Sequence, residues 1–264
     1  MKKEQETIKL NKDKLPMIRN LIIIFLFIFI YQFSYTQAYD PYDETGDYEP
    51  VEEDIKTNDF KGHWQGFEFG LTNYVTRDIS MNMPNDYKFL KVNPLRSWGF
   101  NINLLQQSVG IAGDQFGLVG GVGFEFSNYR FENDTITIIG KDGILQDTSG
   151  NYKKSKITTS FITVPLLLEF QFPQSSKRND RVHLIAGVIG GLKIGDYTKT
   201  VNKDGEVSKY KKEAFFISKL RYGYTFRIGF KRFNIYANYY ATPLFEKDKA
   251  PELHPVSIGI RFGI

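Results

Sequence analysis

The sequence contains no cysteine among its 264 residues and only three histidines. Without thiols, the chain cannot form a disulfide framework or a cysteine-ligated zinc or iron–sulfur site. Its longest apolar run is the ten residues 21–30, whereas a helix needs about 20 apolar residues to cross a bilayer. Because the mean hydropathy is also negative, at -0.34, a polytopic helical membrane protein is excluded. Function must therefore depend on oxygen and nitrogen groups, or on shape.

What the chain has in abundance is glycine and aromatic residues. It contains 23 Gly, 23 Phe and 16 Tyr, and aromatic residues make up 16% of the sequence. Aromatic side chains favour strands. The composition therefore indicates an aromatic-rich and glycine-rich β protein.

The N-terminal 38 residues have the organisation of a signal peptide. A charged stretch precedes the apolar run 21–30, and small or polar residues follow it. We expect cleavage after Thr36 or Ala38, so that 1–38 is removed. The charged stretch is either a long n-region or lies upstream of a true start at Met17.

The net charge of +4 conceals three segments of different sign. Residues 1–38 carry six Lys/Arg and three Asp/Glu, while 39–60 carry one Lys and nine Asp/Glu, a charge of -8. The remainder, 61–264, therefore carries +9. We interpret 39–60 as an acidic, disordered periplasmic tail, because it has few aliphatic residues and no periodicity. It is either a solvated linker or a docking strip for a basic partner or divalent cations.

From residue 61 onward the apolar residues recur with period two in eight segments, which is the pattern of β-strands. The fifth segment is the least regular, because Ile185 and Ile189 interrupt its alternation. Representative bulky positions of the eight segments are Phe67 and Phe69, Trp98 and Phe100, Leu118 and Phe124, Ile162 and Leu166, Val182 and Leu184, Tyr224 and Phe226, Ile235 and Tyr239, and Ile258 and Ile260.

The connections between these segments alternate between long and short. This is the arrangement of an outer-membrane barrel with periplasmic termini, short periplasmic turns and longer outer loops. We therefore predict an all-β fold over 61–264: a transmembrane antiparallel up-and-down β-barrel of eight strands. Ten strands would require a further hairpin in 135–145. The shortest connection, Lys231-Arg232, predicts that Phe230 and Phe233 are cross-strand partners.

The face opposite the bulky residues is rich in glycine and carries balanced charges. A soluble barrel would turn its apolar face inward. The glycine-rich face suits the inside of the barrel better, because a narrow lumen needs small side chains and any charges buried there must be paired. We therefore expect the apolar face to contact lipid. We predict a network of charges in the lumen, composed of Glu68, Glu125, Glu169, Lys193, Arg227 and Arg261.

Three stretches of the barrel carry a resemblance to a known family. They are the segment Ile162–Phe170, the segment Leu184–Gly191, and the ending that runs from Ala241–Phe245 to Val256–Phe262. With these residues, the chain resembles the porin-like outer membrane protein β-barrel family of Gram-negative bacteria, including its PorT-like group. The resemblance implies the barrel fold and an outer-membrane location, and it assigns no chemistry.

Candidate catalytic residues are sparse. His254 lies in the predicted last outer loop, near a serine, but Ser257 is expected to point inward. We interpret His254 as an ordinary loop histidine and expect no catalytic, cofactor-binding or metal-binding site. The glycine runs lie within strands, so they are not phosphate-binding loops.

The sequence thus predicts an integral outer-membrane protein with a filled polar lumen, which acts as a structural or interaction subunit of a surface or secretion assembly. A narrow porin for ions or small solutes is the alternative, and a lipid-modifying enzyme is the third possibility. The expected partners are outer-membrane lipid, the barrel-insertion machinery and other envelope proteins, which would bind through the tail 39–60 or the outer loops, such as 197–212. No nucleic acid is expected.

Overall fold

The computed structural model describes residues 60–132, 136–140, 143–147, 152–172, 181–202, 204–210 and 216–264. The predicted signal peptide and the tail up to residue 59 lie outside these ranges. Phe60, predicted to end the tail, is buried with 3% of its surface exposed. The packed part of the chain therefore begins no later than Phe60.

Eleven strands are present in the described residues, together with two short 3-10 turns at Asn85–Leu90 and Pro94–Arg96. The strands are β1 (Gly66–Thr76), β2 (Trp98–Ala112), β3 (Phe116–Arg130), β4 (Ile136–Gly140), β5 (Gly143–Asp147), β6 (Tyr152–Gln171), β7 (Val182–Asn202), β8 (Val207–Tyr210), β9 (Leu220–Phe230), β10 (Phe233–Tyr240) and β11 (Leu253–Gly263).

Eight of these strands form a closed antiparallel ring. The hydrogen-bonded order is β6-β3-β2-β1-β11-β10-β9-β7, and pairing between β6 and β7 completes the circle. The first and last ring strands are neighbours over eleven residue pairs, from Gly66 opposite Gly263 to Thr76 opposite Leu253. The predicted eight-stranded up-and-down barrel is confirmed.

The hairpin β4–β5 forms a separate two-stranded sheet, so the ten-stranded alternative is wrong. The expectation of an outer loop over 197–212 also needs correction, because β7 continues to Asn202 and its end pairs with β8. Two long strands, β6 and β7, stay paired beyond the rest of the ring, since Tyr152 is still opposite Asn202. Their hydrogen bonds extend the sheet where the sequence suggested a loop.

The barrel wall has its apolar side outward. Phe69 and Phe226 are 52% and 53% exposed, while their neighbours Glu68 and Arg227 are 1% and 0% exposed. On β7, Ile185 and Ile189 are the inward residues, which is why the alternation looked blurred. Around these two residues the strand alternates regularly, and its lumen face is apolar at that level.

The β9–β10 turn confirms the predicted register. Phe230 is opposite Phe233, and Ile228 is opposite Ile235. Lys231 adopts a φ of 56°, the left-handed conformation that a tight hairpin turn uses.

No helix within the described ranges is long and apolar enough to span a membrane.

A charge placed on the outer wall tests its orientation toward lipid. Ala237 is exposed on β10 and opposite Phe226. Ala237→Lys should lower the free energy of unfolding by roughly 2–4 kcal/mol, because an ammonium would enter hydrocarbon. Urea titration in lipid vesicles, read by heat-dependent gel mobility, measures this change. Leu95→Lys is the control, since Leu95 is 83% exposed in a 3-10 turn. Equal stability of the Ala237→Lys and Leu95→Lys variants would contradict a lipid-facing wall.

Candidate functional site: the filled lumen

The chain segment before β1 enters the barrel at the end where the short turns lie. We call residues 60–65 the plug segment. Phe60 and Trp64 are 3% and 1% exposed and belong to a buried apolar cluster with inward residues of β3, β6 and β7. Glycines on β3 make room for them: a Cβ at Gly117 would lie 2.5 Å from the Phe60 ring, and one at Gly121 would lie 2.6 Å from the Trp64 indole. The glycine-rich inner face therefore accommodates the plug segment.

A bulge in β2 supplies the side chain that clamps this segment. The register against β3 shifts between Asn103 and Leu105, which reverses the faces of the following residues. Gln106 consequently reaches the lumen, where its Oε1 accepts from the backbone N–H of Trp64 at 2.6 Å and of Gln65 at 2.9 Å. Its Nε2 donates to the Gly62 carbonyl at 2.8 Å. One amide thus satisfies three backbone groups of the plug segment.

Arg261, one of the six predicted network residues, also holds the plug segment. Its Nε donates to the Trp64 carbonyl at 3.0 Å, and its Nη2 donates to the Gln65 carbonyl. Asn103 donates to the same Trp64 carbonyl at 3.1 Å. Arg261 is therefore bound to backbone oxygen atoms.

Glu169, the second predicted residue, binds the plug segment through a histidine. Its carboxylate accepts from the backbone N–H of His63 at 2.8 Å, and its Oε1 lies 2.5 Å from His63 Nδ1. The His63 ring stacks on His183 with a centroid separation of 3.9 Å, and His183 Nε2 lies 2.8 Å from Asn234 Oδ1. Two of the three histidines are thereby fixed at this mouth of the lumen.

The middle of the lumen contains a buried ion pair between Glu68 and Arg227, two further predicted residues. Asn101 and Asn103 donate to the Glu68 carboxylate at 2.8 and 2.6 Å. The Arg227 guanidinium lies 4.6 Å from the Trp64 ring centroid. Because breaking a buried pair leaves an uncompensated charge, these contacts favour a single packed arrangement.

Glu125, the fifth predicted residue, pairs with an arginine that the sequence reasoning left out. Arg221 Nη2 lies 2.6 Å from Glu125 Oε1, and the Tyr240 hydroxyl donates to Oε2 at 2.5 Å. The Arg221 guanidinium lies between the rings of Phe161 and Tyr240, at 3.6 and 3.8 Å. Arg221 precedes Arg227 by six residues on β9, so this layer lies nearer the end of the barrel with the long connections.

Lys193, the sixth predicted residue, does not join these layers. Its Nζ binds Asp196 at 2.7 Å and the Ile217 carbonyl at 3.1 Å. Asp196 follows it by three residues on the same strand. The ion-pair partner of Lys193 is therefore a local aspartate and not one of the glutamates of the predicted network.

A second apolar cluster, which we call the upper cluster, fills the end of the barrel where the long connections lie. It contains Tyr74, Phe89, Leu90, Val92, Tyr129, Phe131, Ile157, Phe161, Ile217, Leu244, Phe245 and Leu253. Leu90, from a 3-10 turn, is fully buried, and its carbonyl accepts from the Tyr74 hydroxyl. Loop residues thus pack inside the wall above the polar layers.

The remaining histidine, His254, lies on β11 and not in a loop, which corrects its predicted position. Its Nδ1 lies 3.2 Å from the Tyr240 carbonyl, and its ring stacks on Tyr239. Within the residues that the structure describes, no group of three metal-ligating side chains comes together.

A family comparison agrees with this geometry. The model of the family described as outer membrane protein beta-barrel domain matches residues 62–245. The chain belongs to this family. Membership in the outer membrane β-barrel family places the protein in the bacterial outer membrane, and the finer resemblance to the PorT-like group stays a prediction.

Among solved structures, this β-barrel is similar to Ail, the attachment invasion locus protein of Yersinia pestis, in complex with the heparin analogue sucrose octasulfate. The two chains are 12% identical, and the similarity covers 75% of this chain and 94% of that chain with a TM-score of 0.32. No curated protein matches the sequence.

The fit of the plug segment can be tested with a single methyl group. A Cβ at Gly62 would overlap the Val119 side chain, whereas one at Gly195 would have no neighbour within 4 Å. Gly62→Ala should lower the free energy of unfolding by roughly 1–3 kcal/mol through overpacking, and Gly195→Ala is the matched control. Adding Val119→Ala should recover part of the loss, because it removes the overlapping methyl groups. Equal urea midpoints for the Gly62→Ala and Gly195→Ala proteins would show that the plug segment is not packed there.

Proposed function

We propose that this outer-membrane barrel is a non-conducting structural or interaction subunit of a surface or secretion assembly. The observation that carries the proposal is that four layers of side chains follow one another along the length of the lumen. From one end to the other these are the plug segment, the Glu68–Arg227 pair, the Glu125–Arg221 pair and the upper cluster. An eight-stranded barrel has an interior just wide enough for side chains to fill.

With its interior filled, the surfaces left for binding are the wall, the long connections and the chain before residue 60. We propose that the termini and short turns face the periplasm and that the long connections face outward, as in bacterial barrels of this kind. The barrel-insertion machinery and outer-membrane lipid would contact the wall. Other envelope proteins would bind the acidic tail 39–60 or the outer connections.

A narrow porin is the second candidate, because polar and charged side chains occupy the middle of the lumen. An ion path would require the Glu68–Arg227 and Glu125–Arg221 layers to separate. A lipid-modifying enzyme is the third candidate, and an altered lipid A mass in a deletion strain would support it. The position of His254 against a backbone carbonyl gives this candidate no further support.

Conductance in planar bilayers tests the non-conducting proposal. The purified barrel should show no steady conductance, because ion-paired side chains occupy both polar layers of the lumen. Arg227→Ala should introduce brief, low-amplitude openings, while Lys247→Ala, at an exposed site, should behave as the unmodified protein. Heat-dependent gel mobility verifies that each variant is folded. Steady conductance of the unmodified protein that rises in Arg227→Ala would favour the porin.

Single cysteines test the proposed orientation, because the chain has none of its own. A membrane-impermeant maleimide should label Asp204→Cys on intact cells, since Asp204 is exposed beyond β7. It should label Arg232→Cys, in the β9–β10 turn, only after the outer membrane is permeabilised. The opposite pattern would invert the orientation.

A further inference from the structure

A basic cavity of about 430 Å³ lies outside the filled lumen, at the end of the barrel with the long connections. The second 3-10 turn, the end of β3 and the start of β6 form its walls. The lining residues are Asn93, Arg96, Arg130, Phe131, Glu132, Lys153 and Lys154. We call it the basic cavity.

The charges of the basic cavity are unbalanced. Four cationic side chains line it, and its single carboxylate, Glu132, already binds Lys91 at 2.8 Å. Among the described residues, none of the four cations is in an ion pair with a carboxylate. Among the described lining residues, four cations therefore stand against one carboxylate, whose charge is already paired with Lys91.

Trp98 indicates the level of the basic cavity relative to the membrane. This residue is 43% exposed at the upper end of the lipid-facing surface, and Asn128 is opposite it on β3. Two residues further along β3, Arg130 is the cross-strand neighbour of Lys156 on β6. The Lys156 Nζ lies 5.9 Å from the Trp98 ring centroid. Interfacial aromatic residues mark the level of the lipid headgroups. The cavity thus begins where the hydrocarbon ends.

Arginine and lysine in such a cavity suit a phosphate group. Guanidinium groups bind phosphate through paired hydrogen bonds, and ammonium groups add point charges. A phosphate monoester carries a charge of about -1.5 to -2 near neutral pH. Phe131, also in the lining, is buried in the upper cluster and gives the cavity a fixed, apolar floor.

We propose that the basic cavity binds a phosphate group of a glycolipid in the outer leaflet of the membrane. The proposal rests on the outward orientation of the long connections given above. Bound there, the phosphate lies above the wall while the acyl chains of the lipid run down the surface that carries Trp98. Lipid binding at this site anchors the rim of the barrel in the headgroup layer.

Native mass spectrometry of the folded barrel in detergent tests the proposal, with bisphosphorylated lipid A as the probe. The protein should retain this lipid at least tenfold more strongly than the same lipid after enzymatic dephosphorylation, since a tenfold step corresponds to about one charge-assisted hydrogen bond. Arg96→Ala/Arg130→Ala should abolish the preference. The control is Lys219→Ala/Lys247→Ala, which removes the same charge from exposed sites and should keep the preference.

Three results would overturn the proposal. They are equal retention of the two lipids, an unchanged preference in the Arg96→Ala/Arg130→Ala protein, and full displacement of the lipid by millimolar inorganic phosphate, which would assign the cavity to free phosphate. Arg96→Lys/Arg130→Lys keeps the charge and should retain part of the preference, which separates loss of binding from loss of folding. Because this assay uses detergent, its failure is distinct from a failure of the maleimide test of orientation.

Discussion

The space inside an eight-stranded barrel has to be filled by the side chains that point into it, and this requirement governs most of the structure. Charged groups on that face are removed from water, so each needs a partner. Glu68 finds Arg227, and Glu125 finds Arg221, each across the lumen from another strand. Each pair joins two strands that are not neighbours in the ring.

The plug segment follows from the same requirement. Where the inner face of β3 has only glycine, neighbouring side chains cannot fill the lumen, and Phe60 and Trp64 occupy that space. Gln106 and Arg261 bind backbone groups of Gly62, Trp64 and Gln65 in this segment. Unpaired backbone groups are costly, so these bonds, with those from Asn103 and Glu169, stabilise the inserted plug segment.

The fold could be predicted from two patterns. A two-residue period shows which residues share a face of the sheet, and the alternation of long and short connections indicates an up-and-down topology. Phe230 opposite Phe233 required only a turn length and a pattern. Glu68, Glu125, Glu169, Arg227 and Arg261 were placed inside by parity alone, and all five side chains are buried. Which partner each one has depends on the register around the whole ring, and parity carries no information about that.

The contributions that sequence reasoning missed have identifiable causes. Arg221 continues the alternation of β9, but it lies before Tyr224 and Phe226, the bulky positions by which the segment is recognised in the sequence. Gln106 is turned inward by a bulge, which reverses parity and cannot be read from a strict period of two. His63 and Trp64 lie in a segment without periodicity, and a single cue, the glycines opposite them on β3, was visible in the sequence.

The two tryptophans offer the most direct test of a filled lumen inside a lipid-facing wall. Trp64 is buried in the lumen, whereas Trp98 is exposed on the outer surface of the wall. The measurement is tryptophan quenching in vesicles, using Trp98→Phe to observe Trp64 and Trp64→Phe to observe Trp98. Trp64 should resist both aqueous acrylamide and brominated lipid, while Trp98 should be quenched by brominated lipid. Quenching of Trp64 by acrylamide to the extent seen for free indole would show an open, water-filled lumen and contradict the account.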